Sequence, residues 1–243
     1  MDVMKEYSLL VVEDAPYIYI SYANDKDRPQ PFFSIDPEQT VHLFTGSKIG
    51  FPGPRVGFLY SQAQLEIFGG ETALLTDLII TEASGDILFQ NPEALYGMEA
   101  LLHDENMKLR SSLWPVAEDK LVVYRENRQI MLEGLKRELS AFPNKFSWTQ
   151  PGAGFFTVFT FLDDKITVDE VFVSELASNF GIVVIPMYPF YPDDARVRNA
   201  RAGLNQLRLS FCFSESVGDA RRDDMKDAVQ AFCDAVKQVC EIG

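Results

Sequence analysis

Only two histidines, His42 and His103, and three cysteines, Cys212, Cys233 and Cys240, occur among the 243 residues. The histidines stand far apart and no two cysteines keep a CxxC spacing, so the sequence supports no metal site. An odd cysteine count without such spacing suggests reduced thiols packed as small hydrophobes, in a cytoplasmic setting. Basic residues are also scarce. Lys and Arg number 22 against 36 Asp and Glu, a net charge of -14. That balance argues against a nucleic-acid surface, which needs a basic footprint. No apolar run approaches the roughly 20 residues that span a bilayer. The first residues, MDVMKEYSLLVVEDAP, carry Asp2 and Glu6 and lack a cationic stretch, so they do not read as a signal peptide. No internal repeat or low-complexity tract occurs. What remains is ordinary for a globular protein: 47% apolar and 24% charged residues. The length suits one large domain or two small ones.

The apolar pattern predicts alternating elements. SLLVVED (Ser8 to Asp14) is a continuous apolar run ending in acids, expected of a strand buried on both faces. TVHLFTG (Thr40 to Gly46) and RVGFLYS (Arg55 to Ser61) read as two further strands. A helix-leaning stretch follows, to about Leu109. Over residues 118 to 142, apolar side chains recur every three or four positions, as in a long helix, interrupted by Arg128. GAGFFTVFTFL, GIVVIP and QLRLSFCF read as strands. Thr167 and Glu170 are placed as a capping box for VDEVFVSELASNF. The tail from Asp219 to Cys240 forms a helix with Met225, Val229, Phe232, Val236 and Val239 on one face. The first part looks like half of a parallel α/β layer. The part after about Trp114 looks like a smaller α+β unit.

Three segments carry chemistry. In FTGSKIGFPGPRVGF, Lys48 follows a strand among small residues and Arg55 stands at a fixed reach beyond a Pro-Gly-Pro turn. A lysine becomes nucleophilic when its amine can lose its proton. An arginine grips a phosphate through two parallel hydrogen bonds, and Thr45 and Ser47 add hydroxyls. The same string also suits a solvated surface turn. Asp14 ends the SLLVVED strand, where open α/β sheets bind ligands, with Tyr17 three residues on; helix capping is the plainer role. Arg208 sits inside the apolar LNQLRLSF, and a buried guanidinium needs an anion, which a structural salt bridge would also supply.

Taken in order, Asp14-Ala-Pro-Tyr17, Thr45-Gly-Ser-Lys48-Ile-Gly-Phe-Pro-Gly-Pro-Arg55, Pro151-Gly-Ala-Gly-Phe155 and Arg208-Leu-Ser-Phe211 resemble the class I/II aminotransferases. SKIGFPGPRVGF and VVIPMYPFYP look most like the valine–pyruvate branch. The resemblance implies an α/β protein of the pyridoxal-phosphate-dependent transferase fold type I. It covers the second half of the large-domain sheet plus a small α+β C-terminal domain, with the N-terminal half missing. Residues 1–113 would belong to the large cofactor-binding domain, and 114–243 would be the interdomain helix and small domain.

The resemblance also implies roles. Pyridoxal 5'-phosphate would be carried by Lys48 as an aldimine, and the freed amine would then move the substrate's α-proton. Asp14 would pair with the pyridinium nitrogen and Tyr17 with the ring oxygen. Arg55, Ser47 and Thr45, which stands where many members have serine, would bind the phosphate. Arg208 would clamp the substrate α-carboxylate. The partners would be an amino acid, a 2-oxo acid and a second copy of the chain, with no nucleic acid or membrane. The lysine motif does not separate transamination from lyase or decarboxylase chemistry on the same scaffold. A catalytically inactive remnant serving as an interaction module is the alternative from another class.

Overall fold

The computed structural model describes residues 2–86, 91–212 and 216–241. The chain divides into two compact units, Met1–Leu121 and Val122–Gly243. In chain order the first holds α1 (Asp2–Glu6), β1 (Val11–Asp14), α2 (Phe32–Ile35), β2 (Thr40–Thr45), β3 (Gly57–Ser61), β4 (Gln64–Glu66), β5 (Thr72–Leu74), α3 (Leu75–Asp86) and α4 (Pro92–Leu102). The helix α5 (Trp114–Leu139) begins there and runs on into the second unit. The division thus falls within α5, and the boundary read from the sequence falls at its first residue.

The sheet of the first unit has the order β1-β2-β3. β1 and β2 are parallel, with Asp14 opposite Leu43, and the connection between them carries α2. β2 and β3 are antiparallel, with Thr45 opposite Gly57, so the layer is mixed and not the wholly parallel one expected. The cause is length: a parallel return needs a crossover of a dozen or more residues, and the Lys48 loop is too short for one. SLLVVED also departs from expectation. Only Val11–Asp14 is strand, and Val12 is 62% exposed. Glu13 accepts hydrogen bonds from the N–H groups of Phe32 (2.8 Å) and Phe33 (3.4 Å), which ties α2 to the Val11/Glu13 face. The Val12/Asp14 face stays exposed.

The helix-leaning stretch opens with a hairpin instead, β4 pairing antiparallel with β5. Gly69 and Gly70 take its turn at φ 98° and 81°, angles that glycine adopts without cost. Residues 87–90 of that stretch lie outside the described residues. Asn91 caps α4 by accepting from Glu93 N at 3.0 Å, and Pro92 fills the first turn.

The second unit continues with β6 (Phe146–Trp148), β7 (Phe156–Phe161), α6 (Glu170–Phe180), β8 (Ile185–Pro186), α7 (Ala195–Arg198), β9 (Gln206–Ser210) and α8 (Gly218–Val239). Its sheet is antiparallel, in the order β6-β7-β9-β8. One face of β7 and β9 buries Phe159, Phe161, Leu207 and Leu209 completely or nearly so. Phe232 of α8 meets Phe159 edge-on at 5.0 Å. The expected face of α8 packs inward, with Met225, Val229, Phe232 and Val236 buried. α5 adds Met131, Leu135 and Leu139 to this unit's core.

Three details differ from the sequence reading. Asp169, and not Thr167, caps α6, accepting from Phe172 N at 3.0 Å. GIVVIP forms a strand only at Ile185–Pro186, because Gly181 turns left-handed (φ 68°) to end α6 and its neighbours complete that turn. A short helix, α7, occupies the arginine-rich segment read as a loop. Of QLRLSFCF, Phe213 lies outside the described residues. The three cysteines are free thiols, and burial pushes the pKa of Cys233 up to about 12.

Candidate active site

The lysine loop starts where β2 ends. Thr45, the last residue of β2, caps a single 3-10 turn, Gly46–Lys48, by accepting from Ser47 N at 3.2 Å. Its own hydroxyl donates to the Val56 carbonyl at 2.8 Å, which binds the two ends of the loop together. Ile49, 2% exposed, anchors the loop from below. Gly46 packs closely on α4, and a Cβ there would stand 2.9 Å from Leu101 Cδ2, so that side chain would have to shift. Lys48 is half-buried, and its Nζ lies 5.4 Å from the centre of the Tyr17 ring.

Arg55 closes the other side. It holds φ at 56°, a left-handed conformation that costs a non-glycine residue about 1–2 kcal/mol. Its Nη1 donates to Ser47 Oγ (3.4 Å) and to the Pro52 carbonyl (3.3 Å). Ser47 Oγ lies 2.9 Å from Thr45 Oγ1. Because the Thr45 proton already goes to Val56, Ser47 is the donor in that pair. Thr45, Ser47, Lys48, Arg55, Val56 and Gly57 together line one cleft of about 270 Å³. Gly57 must be glycine for β3 to approach, because a Cβ would meet the Phe44 carbonyl at 2.6 Å.

Asp14 ends β1, the parallel neighbour of β2, and Ala15 N donates to Leu43 O at 3.0 Å. Asp14 and the Lys48 turn therefore leave the same end of adjacent strands, the end at which open α/β sheets bind ligands. The structure thus gathers Thr45, Ser47, Lys48 and Arg55 around one cleft, with Tyr17 beside Lys48 and Asp14 at the neighbouring strand end.

Arg208 belongs to the second unit. In β9 the side chains of Leu207 and Leu209 enter the core, so the two-residue period turns Arg208 to the opposite face. There it stands opposite Val158 of β7 and Ile185 of β8. Its guanidinium carbon lies 4.3 Å from the centre of the Phe156 ring and 4.6 Å from that of Phe190. Its Nε is buried and has no hydrogen-bond partner among the described residues. Neither ring was singled out as a partner of Arg208. Phe156 was legible by register, since it lies two residues from Val158 on the same face. The end of β9 is clamped by Asn127 of α5, which is fully buried and donates to Phe211 O at 3.0 Å. Arg221 of α8 in turn donates to Asn127 and to Glu126.

Comparison with known proteins bears on this arrangement. The family model described as aminotransferase class I and II matches residues 1–210. Among curated relatives, (S)-3,5-dihydroxyphenylglycine transaminase of Amycolatopsis orientalis is 27% identical over 87% of this chain and 43% of its own length. Aspartate aminotransferase of Pyrococcus horikoshii is 25% identical over 88% of this chain and 46% of its own. Among solved structures, α-aminoadipate aminotransferase of Thermus thermophilus, complexed with N-(5'-phosphopyridoxyl)-L-leucine, superposes on 100% of this chain and 54% of its own. The TM-score is 0.72 at 21% identity. The chain thus spans about half the length of the proteins it matches, and the shared fold is that half of pyridoxal-phosphate fold type I. With the family model covering most of the chain and the lysine loop built as described, the protein belongs to the aminotransferase class I and II family.

Proposed function

We propose that this chain is the lysine-bearing half of a pyridoxal-phosphate-dependent aminotransferase, which moves an amino group from an amino acid to a 2-oxo acid. One observation carries the reading: Ser47, Lys48 and Arg55 converge on a single small cleft. A phosphate monoester takes hydroxyl and guanidinium donors, and an aromatic aldehyde needs an amine close by. The residues present fit both ends of such a cofactor. When bound, pyridoxal phosphate supplies an electron sink for charge that develops at the substrate α-carbon.

The remaining work falls to the chain's own side chains. Arg55 and Ser47 hold the phosphate, and Thr45 orients Ser47. The Lys48 amine carries the cofactor, then takes and returns the proton at the substrate α-carbon. Asp14 keeps the ring nitrogen protonated and Tyr17 donates to the ring oxygen. Arg208 receives the substrate carboxylate, an anion that its guanidinium lacks among the described residues. Residues 1–113 act as part of the large cofactor-binding domain, and 114–243 as interdomain helix and small domain. The working protein is a cytoplasmic homodimer completed by the half that this chain does not span. The substrates are read no more finely than an amino acid and a 2-oxo acid.

The test is covalent. The full chain is mixed with pyridoxal phosphate, reduced with borohydride, digested and mapped. The cofactor is expected on Lys48. Label on another lysine, or none, overturns the reading.

A further inference from the structure

The turn Tyr188–Phe190 has a ring, Phe190, against the guanidinium of Arg208, although the ring itself is 52% exposed. An exposed phenylalanine that spends its contact on a cation is well placed to hold that cation in one orientation. The turn is itself held. Met187 N donates to Gln206 O (3.0 Å), and Tyr191 OH donates to Gln206 Oε1 (2.7 Å). Gly203, at φ 73°, lets the turn come so close that a Cβ would stand 2.5 Å from Tyr188 Cα. Phe190 thus projects from a segment pinned to β9 and to the loop before it. Phe156, on the sheet, supplies the second ring.

We propose that Phe190 is a positioning residue for carboxylate recognition. Together with Phe156 it fixes the plane of the Arg208 guanidinium, so that the fork's in-plane N–H groups are turned towards a planar anion. The ligand class is a monocarboxylate with an apolar group behind it, because the groups beside the fork are aromatic rings. The proposal rests on the reading of Arg208 as the carboxylate fork. It concerns binding and needs no turnover.

The experiment uses the full chain and an unreactive probe, 3-phenylpropionate, with its uncharged amide as control. Binding is followed by the nitrogen-15 signal of the Arg208 Nε–H. Phe190→Ala should weaken 3-phenylpropionate about tenfold and leave the amide unchanged. Phe190→Trp, which keeps a ring over the cation, should restore affinity to within about twofold. Phe190→Leu keeps the apolar bulk and should behave like the alanine variant, which separates stacking from mere filling. Equal affinity in wild type and Phe190→Ala overturns the proposal, as does a parallel loss for acid and amide, or wild type that binds no carboxylate. Failure of the aminotransferase reading looks different. The chain would then take up no pyridoxal phosphate on Lys48 and yet bind the probe in a Phe190-dependent way. Loading of Lys48 with no Phe190 effect would defeat this inference alone.

Discussion

Gly134 lies on α5 where α8 crosses it, and a Cβ there would stand 2.5 Å from Val229 Cγ1. Contacts begin to be ordinary at 3.4 Å. Gly134→Ala therefore asks for about 0.9 Å of separation, taken from helix displacement or from a Val229 rotamer shift, each opposed by a close-packed interior. Helix propensity alone favours alanine over glycine by about 1 kcal/mol. Overpacking a core costs typically about 1–3 kcal/mol. Packing wins, and Gly134→Ala should lose about 1 kcal/mol net. Val229 is 4% exposed, and Val229→Ala alone should cost about 2 kcal/mol, close to two buried methyl groups.

The double variant decides the matter. With Val229 truncated, the new methyl group fills the space left and the propensity gain returns, so the pair should lie within about 1 kcal/mol of wild type. The assay is urea unfolding of the full chain, read from midpoints at constant slope. Gly134→Ala as stable as wild type, or a double variant whose losses simply add, would refute the reasoning. The same crossing matters for the site, because Arg221 of α8 and Asn127 of α5 together hold the Phe211 carbonyl, just past Arg208.

Two further outcomes test other parts of the structure. Arg55→Gly relieves the strain at φ 56° and adds glycine's unfolded-state freedom, two effects that nearly cancel, so stability should change by less than about 1 kcal/mol. Pyridoxal-phosphate affinity, measured by absorbance titration, should nevertheless fall tenfold or more, since hydrogen bonds to charged groups contribute about 1.5–3 kcal/mol; unchanged affinity would remove Arg55 from the phosphate site. Glu138 accepts from Lys237 at 2.8 Å and from Arg137, and these partners lower its pKa from 4.5 to about 2. Between those values the unfolded chain binds more protons than the folded one, so this contribution is complete above 4.5 and lost as pH falls towards 2. At a partly solvated site it amounts to about 1 kcal/mol. Glu138→Gln should flatten acid unfolding over that window, and an unaltered profile would remove the pair from the stability balance.

The loop that carries Lys48 was more legible in the sequence than the chain's packing. The lysine loop could be read because its features are local: glycine where the Phe44 carbonyl crowds the backbone, hydroxyls at either side of one residue, and a Pro-Gly-Pro turn to bring Arg55 round. The place of Thr45 in the loop was not legible. Its hydroxyl donates to the Val56 carbonyl and ties the loop's ends together, a contact across eleven residues that residue spacing does not encode. Arg208 was recognised as an oddity in an apolar strand, but its rings come from β7 and from the Tyr188 turn, far away in the chain. The parallel layer was overread because strand direction depends on connection length, and the apolar strings of β2 and β3 carry no sign of it.

SLLVVED shows the opposite relation, with a sequence written for more cover than this chain provides. Leu9, Leu10 and Val12 are 48%, 39% and 62% exposed, and β1 pairs only with β2 among the described residues. The bonds from Val11 N to Gln39 O and from Ala15 N to Leu43 O set the alternation along the strand. By it, the N–H and C=O groups of Val12 and Asp14 point away from β2, towards an open edge. An apolar run with free ladder groups is the signature of a strand meant to have a neighbour. The proteins this chain resembles are about twice its length. The consequence for the site is unequal support. Lys48 rides on a loop fastened by Thr45, Ile49 and Val56, whereas Asp14 ends a four-residue strand held on one side. The chain by itself therefore carries the groups that would hold a cofactor's phosphate and aldehyde more firmly than the group that would hold its ring nitrogen.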